Sequence, residues 1–361
     1  MSYALNVPIN TVSFGQVSTC VLRELHSRGA EPSIFPIGGS VDLSSQEVEP
    51  AFVDWVKSGA DKGLKAHSRN SPTFKLWHLN GSLESFSKKQ VLLTFYELDQ
   101  PTPIEINVAK NQDKILFTSK FALNIFKDFG VQNAEYVPLC FDHHNFNQTG
   151  KSYFEDDRIT FNLVGKFEKR KHHAKVIAAW LKKFGNNKKY FLQCAIYNPF
   201  LKEEDNKNIF SQLLGGQSPF NIDFMGFLPK NSLYNDFLNS ADIVVGMSGA
   251  EGWGLPEFHS VGVGKHAIIL NAHAYKEWAN DKNATLVQPC GKIDSEDGMF
   301  FRKGENFNQG TIFDFNEDDF ISACEETIKK VESNRVNEEG LNIQKDFTVS
   351  KTTDIILSHL E

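Results

Sequence analysis

Cysteine is sparse in this chain. Cys20, Cys140, Cys194, Cys290 and Cys324 are the only five, and no two lie close together. That spacing excludes a disulfide framework and leaves no CxxC pair for zinc or redox chemistry. Long apolar runs are missing as well: none approaches the roughly 18–20 residues a membrane helix needs. The stretch from Ser2 to Asn10 is polar and broken, without the charged-then-apolar order of a secretory leader. A cytoplasmic protein is the expectation, with peripheral contact at a membrane left open. An excess of basic residues is also lacking. Lys and Arg number 38 against 45 Asp and Glu, a net charge of −7. A chain built to grip nucleic acid through its phosphates would be basic, so nucleic acid is a disfavoured partner. Repeats and low-complexity tracts are absent.

What is present is alternation. The 361 residues suit two domains at about 150 residues each. Val91–Tyr96, Lys114–Ser119 and Ala134–Cys140 read as strands in the first half. Ile159–Val164, Lys189–Ile196, Asp242–Met247 and His266–Asn271 read as strands in the second. Most carry consecutive apolar residues, the pattern of strands covered on both faces in a parallel sheet. Helices are expected between them over Val17–Arg28, Lys120–Phe129 (capped by Ser119 and stopped at Gly130), Ala174–Phe184, Ser232–Asn239 (capped by Asn231), Glu317–Val331 and Thr352–Leu360. Strand–helix alternation predicts α/β units with right-handed crossovers. It occurs twice, with a polar, acidic break near Asn145–Arg158. The expected organisation is residues 1–148, residues 149–340, and a final helical segment, 341–361, packing back on the first domain.

Two strand ends carry chemistry. Ser248–Gly264 (SGAEGWGLPEFHSVGVG) follows one expected strand and precedes another. Such loops sit at the carboxyl ends of sheet strands, where open α/β sheets bind ligands. Gly249, Gly252 and Gly254 permit a sharp turn, and Pro256 suits the first turn of the next helix. The free N–H groups of that helix start favour an anion. Glu251 stands just before it and would repel a phosphate, so it fits a neutral, hydroxyl-rich group such as a sugar ring. The second segment, Gly165-Lys166-Phe167-Glu168-Lys169-Arg170-Lys171-His172-His173, follows the strand Ile159–Val164. Lys166 and Lys171 can neutralise a diphosphate from two directions; a solvated basic turn is the plain alternative. Adjacent histidines point apart and no third ligand stands at a telling spacing, so no metal is expected. Glu317-Asp318-Asp319 reads as the acidic first turn of a helix, not a metal motif.

These motifs, in order, make the second half resemble the donor domain of family-four retaining glycosyltransferases. The family pattern has a glycine, a cation next to it and a lysine six residues after the glycine; Gly165, Lys166 and Lys171 match, with Lys166 where Arg is usual. An aromatic–glycine turn follows (Phe224-Met225-Gly226-Phe227), then a helix, a strand ending in serine (Ser248), and Glu251-Gly252-Trp253-Gly254-Leu255-Pro256. Ser119-Lys120-Phe121, Phe129-Gly130-Val131 and Val137-Pro138-Leu139-Cys140-Phe141-Asp142 follow the family's run at the end of the first domain, with Cys140 replacing the common Gly. The likeness covers roughly residues 114–280. It implies the GT-B architecture: α/β, two Rossmann-like doubly wound parallel-sheet domains facing a central cleft. It also implies a retaining, metal-independent transfer of a sugar from a nucleoside-diphosphate sugar, the co-substrate, to an acceptor hydroxyl, with no cofactor. The family carries a second acid eight residues after the first, which holds the ribose; here that position is His259, able to make one such hydrogen bond but not a bidentate pair. Glu257 reads as a surface residue of the helix.

The donor-binding candidates are Gly165, Lys166, Lys171, Phe227, Glu251, Gly252, Trp253, Gly254, Leu255 and His259, with Gly15 added from its place before a helix in the first half. Catalysis falls to Glu251, Lys171, Lys166 and His78. Gly15, in Asn10–Gln16, is either part of a loop facing the diphosphate or a helix-cap turn with no ligand. His78 ends an expected strand and stands either beside the reacting sugar or within the structure. Tyr96 and Glu97, with Asp99, end the next strand and are acceptor-side candidates. A glycan, a lipid-linked sugar or a small molecule is the favoured acceptor. The competing readings are a nucleotide-sugar epimerase of related fold and a non-catalytic nucleotide-sugar-binding protein.

Overall fold

The computed structural model describes residues 2–361. The N-terminal lobe is a parallel six-stranded sheet, in the order β2-β1-β3-β4-β5-β6. Its strands are β1 (Ala4–Ile9), β2 (Ser33–Val41), β3 (Thr73–Leu76), β4 (Gln90–Thr94), β5 (Lys114–Phe117) and β6 (Ala134–Tyr136). The C-terminal lobe repeats the plan in the order β12-β11-β10-β7-β8-β9. Its strands are β7 (Ile159–Val164), β8 (Tyr190–Ala195), β9 (Ile222–Phe224), β10 (Ile243–Gly246), β11 (His266–Leu270) and β12 (Thr285–Val287). A hairpin, β13 (Pro289–Asp294) and β14 (Thr311–Phe315), follows. The helices are α1 (Ser13–Ser27), α2 (Pro50–Ala66), α3 (Pro103–Lys110), α4 (Lys120–Asp128), α5 (His173–Phe184), α6 (Glu203–Leu213), α7 (Asn231–Asn239), α8 (Leu255–Gly262), α9 (Glu317–Ser333), α10 (Ile343–Asp346) and α11 (Val349–Ser358).

Burial explains why consecutive apolar residues make these strands. β4, β7 and β10 are buried at every position, so each face meets helices. β1 is also buried throughout, although Asn6 and Pro8 interrupt its apolar pattern and the sequence reads there as a broken stretch. The Asn6 amide donates to the Phe35 carbonyl (2.8 Å), and the register shifts just after Pro8. A polar side chain satisfied by the neighbouring strand, with an irregularity beside the proline, lets β1 occupy an inner position. α4 has the expected cap, Ser119 Oγ accepting from Ala122 N–H. α7 does not: Asn231 lies inside the helix and Lys230 precedes it without a side-chain cap. β6 stops at Tyr136, short of the expected Cys140, and Pro138 stands in the extended segment that follows.

The lobes touch through defined bonds. Thr118 Oγ1 donates to the Gly252 carbonyl (2.6 Å), and Glu277 accepts from Lys120 N–H (2.7 Å). The β13–β14 hairpin reaches the N-terminal lobe at Asp99, which accepts from Thr311 N–H (2.7 Å), Thr311 Oγ1 (2.7 Å) and Lys292 Nζ (2.7 Å). α11 lies on the N-terminal lobe: Arg28, the residue that caps the end of α1, binds Asp354 (2.6 Å), and Thr352 Oγ1 donates to the Pro138 carbonyl (3.0 Å). Ile356 and Leu360 share one apolar cluster with Leu22 and Leu25. No helix among the described residues is long and apolar enough to cross a membrane.

Candidate active site

Strand order fixes where a ligand can sit. In the C-terminal sheet the order reverses between β7 and β10, which pair in parallel. In the N-terminal sheet it reverses between β1 and β3. Neighbouring loops leave the sheet in opposite directions at such a point and open a crevice at the strands' carboxyl ends. The loop after β7 carries Lys166 and Lys171, and the loop after β10 carries Glu251. The loop after β1 leads into α1, whose first turn carries Gly15, and the loop after β3 carries His78. The four segments that sequence reasoning singled out thus flank the two reversal points.

The C-terminal wall is an ion-pair network. Lys171 and Glu251 are in direct contact, and both are buried. Arg170 Nη1 donates to Glu251 Oε1 (2.9 Å) and to the Ala250 carbonyl (2.6 Å). Arg170 Nε lies 2.7 Å from Glu168 Oε2, off the line of its N–H. Lys166 Nζ binds Glu168 (2.7 Å) and sits over the rings of Phe200 (5.0 Å) and Phe300 (4.6 Å). Burial works against ionising Glu251, but the Arg170 guanidinium and the Lys171 ammonium outweigh it and hold its pKa at about 2. Burial likewise opposes the charge on Lys171, and Glu251 overcomes it, so its pKa is raised. Charges this deep persist because they are paired. Arg170, the hub, lies outside the motif spacing; the only sign of it in the sequence is its place beside Lys171.

Two glycines shape this wall. Gly165 has φ +98°, and the Lys171 side chain lies across the place a Cβ would take, at 3.2 Å. Gly254, at φ +84°, precedes α8, and a Cβ there would strike the Tyr275 ring. The turn leaves the N–H groups at the start of α8 near Glu251, with Leu255 its first residue. Gly252 abuts Phe95 of the opposite lobe.

The N-terminal wall is aromatic. Gly15 packs against the Asn10 carbonyl, and the preceding Phe14 contacts the rings of His78 (4.4 Å) and Phe95 (4.4 Å). His78 keeps an exposed edge, yet the surrounding protein, and then the Lys166 ammonium, lower its pKa below the ordinary imidazole value. Glu97 Oε1 lies 3.4 Å from Arg170 Nη2, a carboxylate reaching across the cleft.

Several residues lie elsewhere than expected. Tyr96 does not face the cleft: its ring packs on Phe126 (4.8 Å) and its hydroxyl on Glu105 (3.3 Å). Phe95 and Glu97, on either side of it, point to the cleft, as alternation along extended chain requires. His259 is sealed in the core, stacked on Phe146 (4.1 Å) and near Phe141 (5.3 Å). Its Nδ1 meets the Leu255 carbonyl (2.8 Å), Nε2 accepts from Asp142 N–H (3.4 Å), and burial drives its pKa to about 3. Both ring nitrogens are engaged, so it has no free hydrogen bond for a ribose. Glu257 is not a surface residue: it is 1% exposed and faces the Tyr275 hydroxyl. Burial, with Glu251 nearby, raises its pKa to about 7. The Trp253 side chain packs with Phe258 (5.4 Å) and Phe347 (5.7 Å), leaving only its backbone to the crevice. Phe227 stands half exposed just after the edge strand β9. His172 and His173 bind the Phe313 and Val164 carbonyls. Among the described residues no three His, Cys, Asp or Glu gather as a metal site.

No protein-family model and no curated protein matches the chain by sequence. Solved structures match its fold. Sucrose-phosphate synthase from Thermosynechococcus elongatus superposes with a TM-score of 0.68 at 12% identity, over 99% of this chain and 98% of its own. HepE from Anabaena, solved with UDP-glucose, gives 0.63 at 12% identity over 100% and 99%. WaaG, a glycosyltransferase involved in lipopolysaccharide biosynthesis, gives 0.61 at 10% identity over 98% and 99%. The architecture of the chain is the GT-B fold of these glycosyltransferases.

Proposed function

We propose that this chain is a glycosyltransferase that moves a sugar from a nucleoside diphosphate to an acceptor hydroxyl, with retention of anomeric configuration and without a metal. One observation carries the reading. Lys171 and Glu251 come from the two strands that flank the reversal point of the C-terminal sheet, and they meet in one crevice. As the glycosidic bond breaks, negative charge grows on the diphosphate. Lys166, Lys171 and the N–H groups at the start of α8 stand ready to stabilise it, and preorganised stabilisation of that kind is usually the largest catalytic term. Glu251, held ionised by its cations, is an acceptor for sugar hydroxyls and orients the ring. His78 and Glu97 face this centre from the other lobe and are the groups an acceptor meets. Retention follows if the acceptor attacks from the face the diphosphate leaves, with the departing phosphate taking the proton.

The neighbours named above support the nucleotide-sugar reading, HepE through its complex with UDP-glucose. The test is a panel of UDP-, GDP- and ADP-sugars, screened first by thermal shift, because a ligand bound to the folded state raises stability by mass action. Transfer is then assayed with the donor that binds, and the anomer of the product is read by NMR. No shift with any donor would end the reading. Conversion of the donor alone into a second nucleotide-sugar would establish the epimerase alternative instead. Binding without any turnover would establish the non-catalytic one.

A further inference from the structure

Charge balance in the crevice points beyond the two motif lysines. Lys166, Arg170 and Lys171 face Glu97, Glu168 and Glu251, so cations and carboxylates match one for one. With Glu257 also buried beside Lys171 and Glu251, the cluster carries no surplus of positive charge, which weakens its pull on a diphosphate. One carboxylate has to give way, and the three are held very differently. Glu168 is bound by Lys166 (2.7 Å) and Arg170 (2.7 Å). Glu251 is bound by Arg170 (2.9 Å) and by Lys171 in direct contact. Glu97 has one cation, Arg170, at 3.4 Å, keeps 26% of its side chain exposed, and belongs to the other lobe. The Arg170 guanidinium is divided accordingly. Nη1 is fixed by Ala250 and Glu251 and Nε lies against Glu168, while the Nη2 facing Glu97 has no closer partner among the described residues.

We propose that Arg170 is a third diphosphate-binding cation and that Glu97 is a built-in competitor, occupying Nη2 until a ligand phosphate displaces it. The inference rests on the nucleoside-diphosphate reading above. It assigns Glu97 a role in donor entry in addition to its place on the acceptor side. Burial raises the pKa of Glu97, and Glu251 and Glu168 add to the rise against the pull of Arg170. The carboxylate is therefore poorly compensated where it sits, as a displaceable partner should be. A guanidinium presents paired donors in a fixed fork, which suits phosphate oxygens better than a single long contact to a carboxylate.

The test is calorimetric titration of the full chain with UDP, GDP, ADP and inorganic pyrophosphate, in wild type and in E97Q. Removing the competitor should tighten binding of pyrophosphate and of the preferred nucleotide by about tenfold, within the usual range for coupled sites. The gain should vanish in an R170K background, where the fork is lost but the charge is kept. Equal affinities in wild type and folded E97Q would overturn the inference while leaving the nucleoside-diphosphate reading intact. Weaker binding in E97Q would overturn it too, because Glu97 would then be holding the ligand. Should the amide disturb folding, E97A poses the same question. A wild type and an E97Q that both ignore all four ligands would take down the underlying reading with it.

Discussion

The C-terminal wall of the cleft joins buried Glu168, Arg170, Lys171 and Glu251 with the partly exposed Lys166 in one network, whereas the N-terminal wall offers Phe14, His78, Phe95 and a lone carboxylate, Glu97. The first wall is rigid in its electrostatics. Each charge there is compensated before any ligand arrives, and glycines at Gly165 and Gly254 set its turns. The second wall is mostly surface and shape, with one ionisable ring and one exchangeable acid. The difference teaches a division of labour: on the proposed reading, the fixed charges of one lobe serve the donor and the more adaptable groups of the other are left for the acceptor.

Mutations can break or sharpen that division. Lys171→Ala should lower turnover by about 10²–10³-fold, the scale for losing one charge-stabilising donor. Steady-state rates on a variant with wild-type circular dichroism decide it, and an unchanged rate would strip the C-terminal wall of its catalytic part. His259→Ala should instead cost about 3–5 kcal/mol of stability in urea, the range for large buried rings cut to Ala. Its affinity for nucleoside diphosphate should not move, because the ring is enclosed by Phe146 and Phe141. A loss of affinity with stability unchanged would place His259 in the donor site after all.

His78→Ala should reduce turnover about tenfold, the worth of one hydrogen bond. The effect should fall on the acceptor's KM as much as on kcat, and a change in donor KM alone would blur the line between the walls. The smallest effect concerns Glu257, whose pKa is raised to about 7 by burial. The fold favours its neutral form, so the unfolded chain releases that proton first as pH rises. The contribution of Glu257 to stability should therefore be present below about pH 4.5 and be lost as pH climbs to about 7. Glu257→Gln should remove this dependence and melt a few degrees higher than wild type at pH 8. Parallel melting curves for the two proteins across that range would mean the carboxylate is better paired than its surroundings show.

Much of the C-terminal lobe was legible in the sequence because its strands are continuous apolar runs and its site residues sit directly after them. Ile159–Val164 is a strand with the expected bounds, and the loops that follow it and β10 hold Lys171 and Glu251 together. The N-terminal lobe was harder to read. β1 hides behind Asn6 and Pro8, whose costs are met by a tertiary hydrogen bond and a register shift that no local pattern reveals. Arg170 was not distinguishable from its basic neighbours, since which cation turns inward depends on the short 3-10 turn at Lys169–Lys171. Tyr96 and Glu257 misled for a related reason: the side of the chain a residue faces is decided by partners distant in sequence, Phe126 and Tyr275. His259 stands at the spacing where the family the sequence resembles carries an acid, but it is buried, and the rings of Phe141 and Phe146 around it come from the segment linking the lobes.

α11 returns to the N-terminal lobe after the chain has built both sheets, and Arg28 at the end of α1 waits for Asp354 to complete that surface. On the ribosome, α1 therefore emerges more than three hundred residues before its partner helix, in the chain's own numbering. Throughout that interval Leu22 and Leu25 lack the cover of Ile356 and Leu360. The first lobe to be made is thus among the last to be finished, and cutting the chain between the sheets would not yield an intact N-terminal half.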